Sequence, residues 1–112
     1  MLRLTVTGEA GTIYNGVTDW LYEEEILGQS PALFVSPLAT RLAYMSFNDS
    51  NVELHSMKTF SQGRNQKGRD LKFRYPKAGT SNPVVSVYIQ NLMDNRVSEN
   101  MKVRPPPEVE NM

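Results

Sequence analysis

Residues 32–47 read ALFVSPLATRLAYMSF, two strand-like runs, Ala32-Leu33-Phe34-Val35 and Arg41-Leu42-Ala43-Tyr44-Met45-Ser46-Phe47, on either side of Ser36-Pro37-Leu38-Ala39-Thr40. Aromatic and branched side chains suit a pleated backbone, and the proline-marked break between the runs predicts an antiparallel hairpin. Working outward, Val84 to Asn91, VVSVYIQN, carries the strongest strand pattern in the chain. Leu71-Lys72-Phe73-Arg74-Tyr75 alternates apolar and polar, and residues 51–60 extend as a further strand. LRLTVT at residues 2–7 alternates with period two, as a half-buried strand does. Thr12-Ile13-Tyr14 is apolar enough to pair back across Gly8 and Gly11, and Asn15-Gly16 marks a tight turn. The polar run SQGRNQKGRD from Ser61 to Asp70 reads as a loop or hairpin tip, and Pro76 to Pro83 as a turn region. Beyond Leu92 periodicity is lost, and Arg104-Pro105-Pro106-Pro107 points to an irregular, extended end over residues 92–112. About six or seven short strands with turns roughly every 8–12 residues indicate an all-β fold, sandwich or propeller. A propeller blade takes about 40–45 residues, so this length corresponds to a partial propeller of about two to three blades.

One segment breaks the strand pattern. Asp19-Trp20-Leu21-Tyr22-Glu23-Glu24-Glu25-Ile26-Leu27-Gly28 sets three consecutive carboxylates in an otherwise apolar run. Asp19 can accept the first free N–H groups of a helix, and Gly28 can take the left-handed conformation that ends one. A short helix over residues 19–27 is expected. At about 100° per residue Glu24 falls between Trp20 and Leu27, so no purely polar face remains. On the plain reading these are solvated acids near a helix N-terminus, where the macrodipole favours them. On the sharper reading a glutamate lies against apolar surface and calls for a cation, and two adjacent carboxylates suit a primary ammonium with its three donors.

The 112 residues allow one domain, with 39% hydrophobic residues and twelve basic side chains against twelve acidic ones. That balance gives no reason to expect nucleic acid as a partner. Cysteine is absent, which removes disulfides, thiolate nucleophiles and cysteine metal sites. Neither a metal nor another cofactor is called for by any motif. No apolar run approaches the roughly 18 residues of a membrane span. Met1-Leu2-Arg3-Leu4 lacks the apolar core of a signal peptide, so any targeting element is expected outside these residues. The single histidine, His55, sits in a polar stretch and reads as an exposed side chain.

The motifs Ile13-Tyr14-Asn15-Gly16-Val17-Thr18-Asp19-Trp20-Leu21-Tyr22-Glu23-Glu24-Glu25, Ser36-Pro37, Leu42-Ala43-Tyr44, Phe47-Asn48-Asp49-Ser50, Tyr75-Pro76-Lys77-Ala78-Gly79 and Asn82-Pro83 together resemble the N-terminal β-propeller of the dipeptidyl peptidase IV family. The match runs almost without gaps from Arg3 to Asn91, and residues 1–112 would form a fragment of that domain. The resemblance implies that Glu24 and Glu25 bind the free N-terminal ammonium of a peptide, so that cleavage falls after its second residue. Glu23 would give structural support. It also implies an extended dimerisation arm over Asn51 to Lys72, a homodimeric parent that is membrane-anchored at the cell surface or secreted, and glycosylation at Asn48. Asn48-Asp49-Ser50 is the one N-x-S/T sequon without a central proline.

The departures are informative. Phe34-Val35 stands where the family usually has two tryptophans, and Leu38-Ala39 where it has Asn-Gly or Asp-Gly. Without that glycine a tight turn is harder to form. Arg64, Lys67, Arg69 and Lys72 read most simply as a solvated hairpin tip. No G-x-S-x-G nucleophile elbow occurs, and the family's serine, aspartate and histidine belong to a C-terminal hydrolase domain, so this chain holds no catalytic residue and is expected to be inactive alone. Two functions remain open: the substrate-recognition segment of a serine-type dipeptidyl aminopeptidase, or the same segment of a non-catalytic relative that serves potassium channels as an auxiliary subunit.

Overall fold

The computed structural model describes residues 3–59, 69–93 and 100–110. Among them are strands β1 (Ile13–Asn15), β2 (Leu33–Val35), β3 (Arg41–Asn48), β4 (Leu54–Thr59), β5 (Arg69–Arg74), β6 (Val84–Asn91) and β7 (Met101–Lys102), and one short helix, Tyr22–Leu27. The fold is all-β. β1, β3, β6 and β7 neighbour one another in that order, β2 also pairs with β3, and β4 and β5 form a separate two-stranded sheet.

The central pair is β3 with β6, antiparallel from Arg41↔Asn91 to Asn48↔Val84. Tyr44 lies opposite Tyr88 and their rings stack with centroids 5.5 Å apart, a cross-strand pair of the kind that pins register. On the other edge of β3 lie both β1, opposite Ser46 to Asn48, and β2, opposite Leu42 to Tyr44. Where they meet, the Gly16 N–H donates to the Met45 carbonyl (2.8 Å), the Met45 N–H to Ala32 (2.9 Å) and the Ala32 N–H to Gly16 (2.9 Å). β1 and β2 are therefore two halves of one interrupted edge strand. Residues 17–31 leave the sheet at Gly16, whose φ is +72°, and return at the buried Ala32.

The 32–47 hairpin forms as its sequence predicts, and its loop shows how the missing glycine is accommodated. Ala39 takes the left-handed conformation, φ +52°, which disfavours a side chain. Ser36 holds the loop: its Oγ accepts the N–H groups of Thr40 (3.1 Å) and Arg41 (3.0 Å), while its carbonyl accepts the N–H of Ala39 (2.8 Å).

Some expectations differ from the structure. Residues 3–8 form no strand and Val6 is 77% exposed; the segment meets β1 through the Glu9↔Ile13 bridge and a bond from Asn15 Nδ2 to Thr7 Oγ1 (3.0 Å). Asn15-Gly16 is not a hairpin turn; it opens the 17–31 excursion. At the other end β7 pairs with β6 through Tyr88↔Lys102 and Ile89↔Met101, so the region after Leu92 is not wholly irregular. The described residues build one blade-like sheet, with Leu54–Thr59 and Arg69–Arg74 paired in the separate β4–β5 sheet. The tip expected at residues 61–70 lies for the most part outside the described residues, as do Arg64, Lys67 and the side chain of Arg69.

Phe47, Tyr44, Ala32 and Val52 make up the buried apolar core, while Leu33, Phe34 and Val35 of β2 remain exposed. The loop yields a direct test. Ala39→Gly removes the left-handed penalty of about 1–2 kcal/mol and loses part of that to the greater freedom of the unfolded chain. A net gain of about 0.5–1 kcal/mol is expected, read as a higher urea midpoint with an unchanged slope.

Candidate functional site

The excursion over residues 17–31 is fixed from its base upward. Val17 bridges to Pro31, the Thr18 N–H donates to the Ser30 carbonyl (2.9 Å), and Thr18 Oγ1 donates to the carbonyls of Gln29 (3.3 Å) and Ser30 (3.2 Å). At the top of this two-stranded neck the chain turns into the helix. Asp19 Oδ1 accepts the Tyr22 N–H at 3.0 Å and its carbonyl accepts the Glu23 N–H at 3.0 Å, so Asp19 caps the helix as its sequence position predicts. Gly28, at φ +63°, ends it in the expected left-handed conformation.

The helical form itself was not expected. Tyr22–Leu27 is a π-helix, whose wider turn is rare and is found disproportionately at functional sites. Tyr22 sets its ring against Phe47 edge-on, with centroids 4.8 Å apart and planes at 61°. Trp20 packs on Phe73 of β5 at 5.6 Å. Glu23 is half-buried, whereas Glu24 and Glu25 are exposed. Of the three glutamates, Glu23 is thus the one drawn partly out of solvent, while Glu24 and Glu25 stay exposed. Among the described residues neither of the two makes an ion pair, the one such pair being Glu53 with His55 at 3.9 Å.

Beneath the helix lie two buried acids that sequence reading assigned no shared role. Asp19 is 4% exposed and Asp49 1%. Burial raises the proton affinity of both, and for Asp49 the neighbouring Asp19 charge adds to burial while Arg74 opposes it, leaving its pKa at about 6. Asp49 Oδ1 has no hydrogen-bond partner. Burial likewise pushes the Tyr14 and Tyr22 hydroxyls up, each further raised by Asp19. The buried acid at Asp49 was visible in the sequence only as the middle of a sequon.

Asn48 is exposed at the end of β3, with its Oδ1 accepting the Ser50 N–H at 3.0 Å. His55 is not free in solvent: it is half-buried, and Nε2 lies 2.9 Å from the Tyr75 carbonyl. Among the described residues no group of three or more His, Asp or Glu is placed to hold a metal ion, and no helix is long and apolar enough to cross a membrane.

Residues 1–111 match the family model for the dipeptidyl peptidase IV N-terminal region. The chain belongs to the dipeptidyl peptidase IV family. It is 41% identical over 107 residues to dipeptidyl peptidase 4 of Felis catus, a match covering 93% of this chain and 14% of that protein. Against the venom dipeptidyl peptidase 4 of Vespa velutina the identity is 42% over 110 residues, covering 96% and 14%. It is also 44% identical over 91 residues to inactive dipeptidyl peptidase 10 of Mus musculus, covering 81% and 11%. The crystal structure of Porphyromonas gingivalis dipeptidyl peptidase 4 superposes with a TM-score of 0.80 at 30% identity, over 94% of this chain and 14% of that one. The chain thus spans about one seventh of the length of these dipeptidyl peptidase 4 relatives.

Asp49 provides a test independent of catalysis. Its folded pKa of about 6 lies above the ordinary 3.8, so its contribution to stability is fully present below pH 3.8 and is lost as pH rises through 6. Wild-type stability should fall as pH rises from 3.8 to just above 6, by roughly 1–3 kcal/mol in all. Asp49→Asn, which keeps the sequon, should flatten that dependence and raise the urea midpoint at the upper pH. A profile unchanged by the substitution would show that Asp49 is not the titrating group.

Proposed function

We propose that this chain is the segment of a serine-type dipeptidyl aminopeptidase that captures the free N-terminal ammonium of the peptide substrate, with Glu24 and Glu25 as its ligands. The observation that carries the reading is a pair of adjacent, outward-facing carboxylates without ion-pair partners among the described residues, on a helix capped at both ends and rooted in a sheet edge. An ammonium offers three donors and one positive charge, which two carboxylates can satisfy. Fixing the amine sets the distance from the peptide end to the nucleophile and lowers the entropic cost of reaching attack geometry. The glutamates break no bond. In this reading the serine and its base lie in a hydrolase domain outside these 112 residues, and the chain alone does not cleave peptides.

The rest of the reading follows the same family. The parent is a homodimer, displayed at the cell surface or secreted, and Asn48 carries a glycan. Its exposure and the hydrogen bond from the Ser50 N–H suit a modified sequon. A second reading is favoured by the 44% identity to inactive dipeptidyl peptidase 10: the same segment in a non-catalytic relative that accompanies potassium channels. A G-x-S-x-G motif in the C-terminal part of the full-length protein would decide for the peptidase.

Charge-assisted hydrogen bonds are worth about 1.5–3 kcal/mol each, so Glu24→Gln or Glu25→Gln should lower kcat/KM by about tenfold to a hundredfold on a free-amine dipeptide substrate. A small ester that lacks the amine should react nearly as before. Equal losses on both substrates would mean damage to the fold, and equal retention on both would return the glutamates to the role of a solvated helix face.

A further inference from the structure

The helix at Tyr22–Leu27 has six residues, too few to hold its own shape in water. Its position must therefore come from what it touches. The neck at Thr18 fixes its base and Tyr22 on Phe47 fixes one side. The remaining ring contact crosses to a different sheet: Trp20, at the start of the helical segment, meets Phe73 of β5. Beside that contact the hairpin and the blade do not close on each other. Tyr14, Leu54, Lys72 and Arg74 join the two rings around a cavity of about 310 Å³. The ring pair therefore joins the hairpin directly to the helical segment.

Phe73 is well placed for this, because the root of its hairpin is fixed. It pairs across the strands with His55, the rings 6.0 Å apart, and His55 is itself bonded to the Tyr75 carbonyl. Next to it Arg74 Nη1 donates to the Val52 carbonyl at 2.6 Å, and the Tyr75 N–H donates to Glu53 at 3.1 Å. The charges run the same way: the Arg74 guanidinium offsets the field of Asp49, which is in turn raised by the helix-capping Asp19. An aromatic and an electrostatic contact therefore both connect the hairpin root to the N-terminal end of the helical segment.

We propose that the β4–β5 hairpin holds the glutamate helix in its working position, with Phe73 as a positioning residue that acts through Trp20. The functional side of this rests on the amine-binding reading of Glu24 and Glu25. A hairpin displaced by a partner or by loss of a dimer contact would release Trp20 and loosen the helix without touching the reacting atoms.

The test uses the complete protein that carries this chain, with Phe73→Ala, Phe73→Leu and Phe73→Tyr. Phe73→Ala and Phe73→Leu should raise KM for a chromogenic free-amine dipeptide by about three- to tenfold, in line with loss of one aromatic pair. kcat and the rate on a small ester lacking the amine should stay within about twofold. Phe73→Tyr, which keeps the ring, should restore KM. Amide hydrogen exchange over residues 22–27 should accelerate in Phe73→Ala while residues 84–91 stay protected. Unchanged exchange at the helix, or acceleration of both segments together, would overturn the positioning role. Run alongside, Glu24→Gln and Glu25→Gln separate the two ideas. If they spare the amine substrate, the amine-binding reading fails and the exchange result judges the hairpin alone. If they abolish its turnover while Phe73→Ala leaves KM unmoved, only the positioning role fails.

Discussion

Three backbone hydrogen bonds at one point of the sheet edge, among Gly16, Ala32 and Met45, carry the architecture on which any function of this chain depends. They let β3 keep a single continuous partner while that partner is interrupted by residues 17–31. An edge strand that simply ended at Asn15 would leave donors and acceptors of β3 unpaired at Met45, which is costly where water is excluded. Closing the gap with Gly16 and Ala32 satisfies both groups of Met45. The same closure brings the ends of the excursion together, so its loop entropy is met by ladder bonds the sheet needs in any case. A helix too short to exist alone thereby acquires a defined root.

How far this was legible in the sequence depends on the range of the forces involved. Local chemistry was readable: Asp19 and Gly28 mark the helix ends, the 32–47 hairpin follows its branched and aromatic runs, and Val84 to Asn91 forms one strand over its predicted length. What escaped was set by partners distant in the chain. Residues 2–7 alternate as well as any strand, but alternation states only that a face can be buried, and among the described residues of this run Val6 stays exposed. The two-residue β7 has almost no pattern of its own and exists because β6 has a free edge. The site divides in the same way. Glu24 and Glu25 were identified through a contiguous motif, whereas Asp49, Phe73 and Arg74 gain their relation to the helix only from the fold.

The two buried acids, Asp19 and Asp49, act on each other at the start of the helix that Asp19 caps. Asp19 has its carboxylate committed to the Tyr22 N–H, which favours its charged form and partly offsets the cost of burial. Asp49 has no such donor on Oδ1, and its charge is disfavoured by burial and by Asp19 and favoured by Arg74. Asp49, with its pKa at about 6, takes up its proton in mild acid. A proton on Asp49 removes its repulsion with the capping Asp19.

The exposed apolar residues of β2 bear on how rigid the site can be. Leu33, Phe34 and Val35 are all exposed, and among the described residues the edge that begins at β1 has no further strand beyond it. Open edges and bare apolar faces are the normal state of one blade considered apart from its neighbours. The relatives this chain matches are about seven times its length, which leaves ample structure to cover those surfaces in a longer protein. Covering them would stiffen β2 and, through Ala32, the return of the excursion that carries the glutamates. In the proposed reading, the position of Glu24 and Glu25 is then a property of the assembled blades, because the short helix that carries them is rooted in the sheet edge behind it.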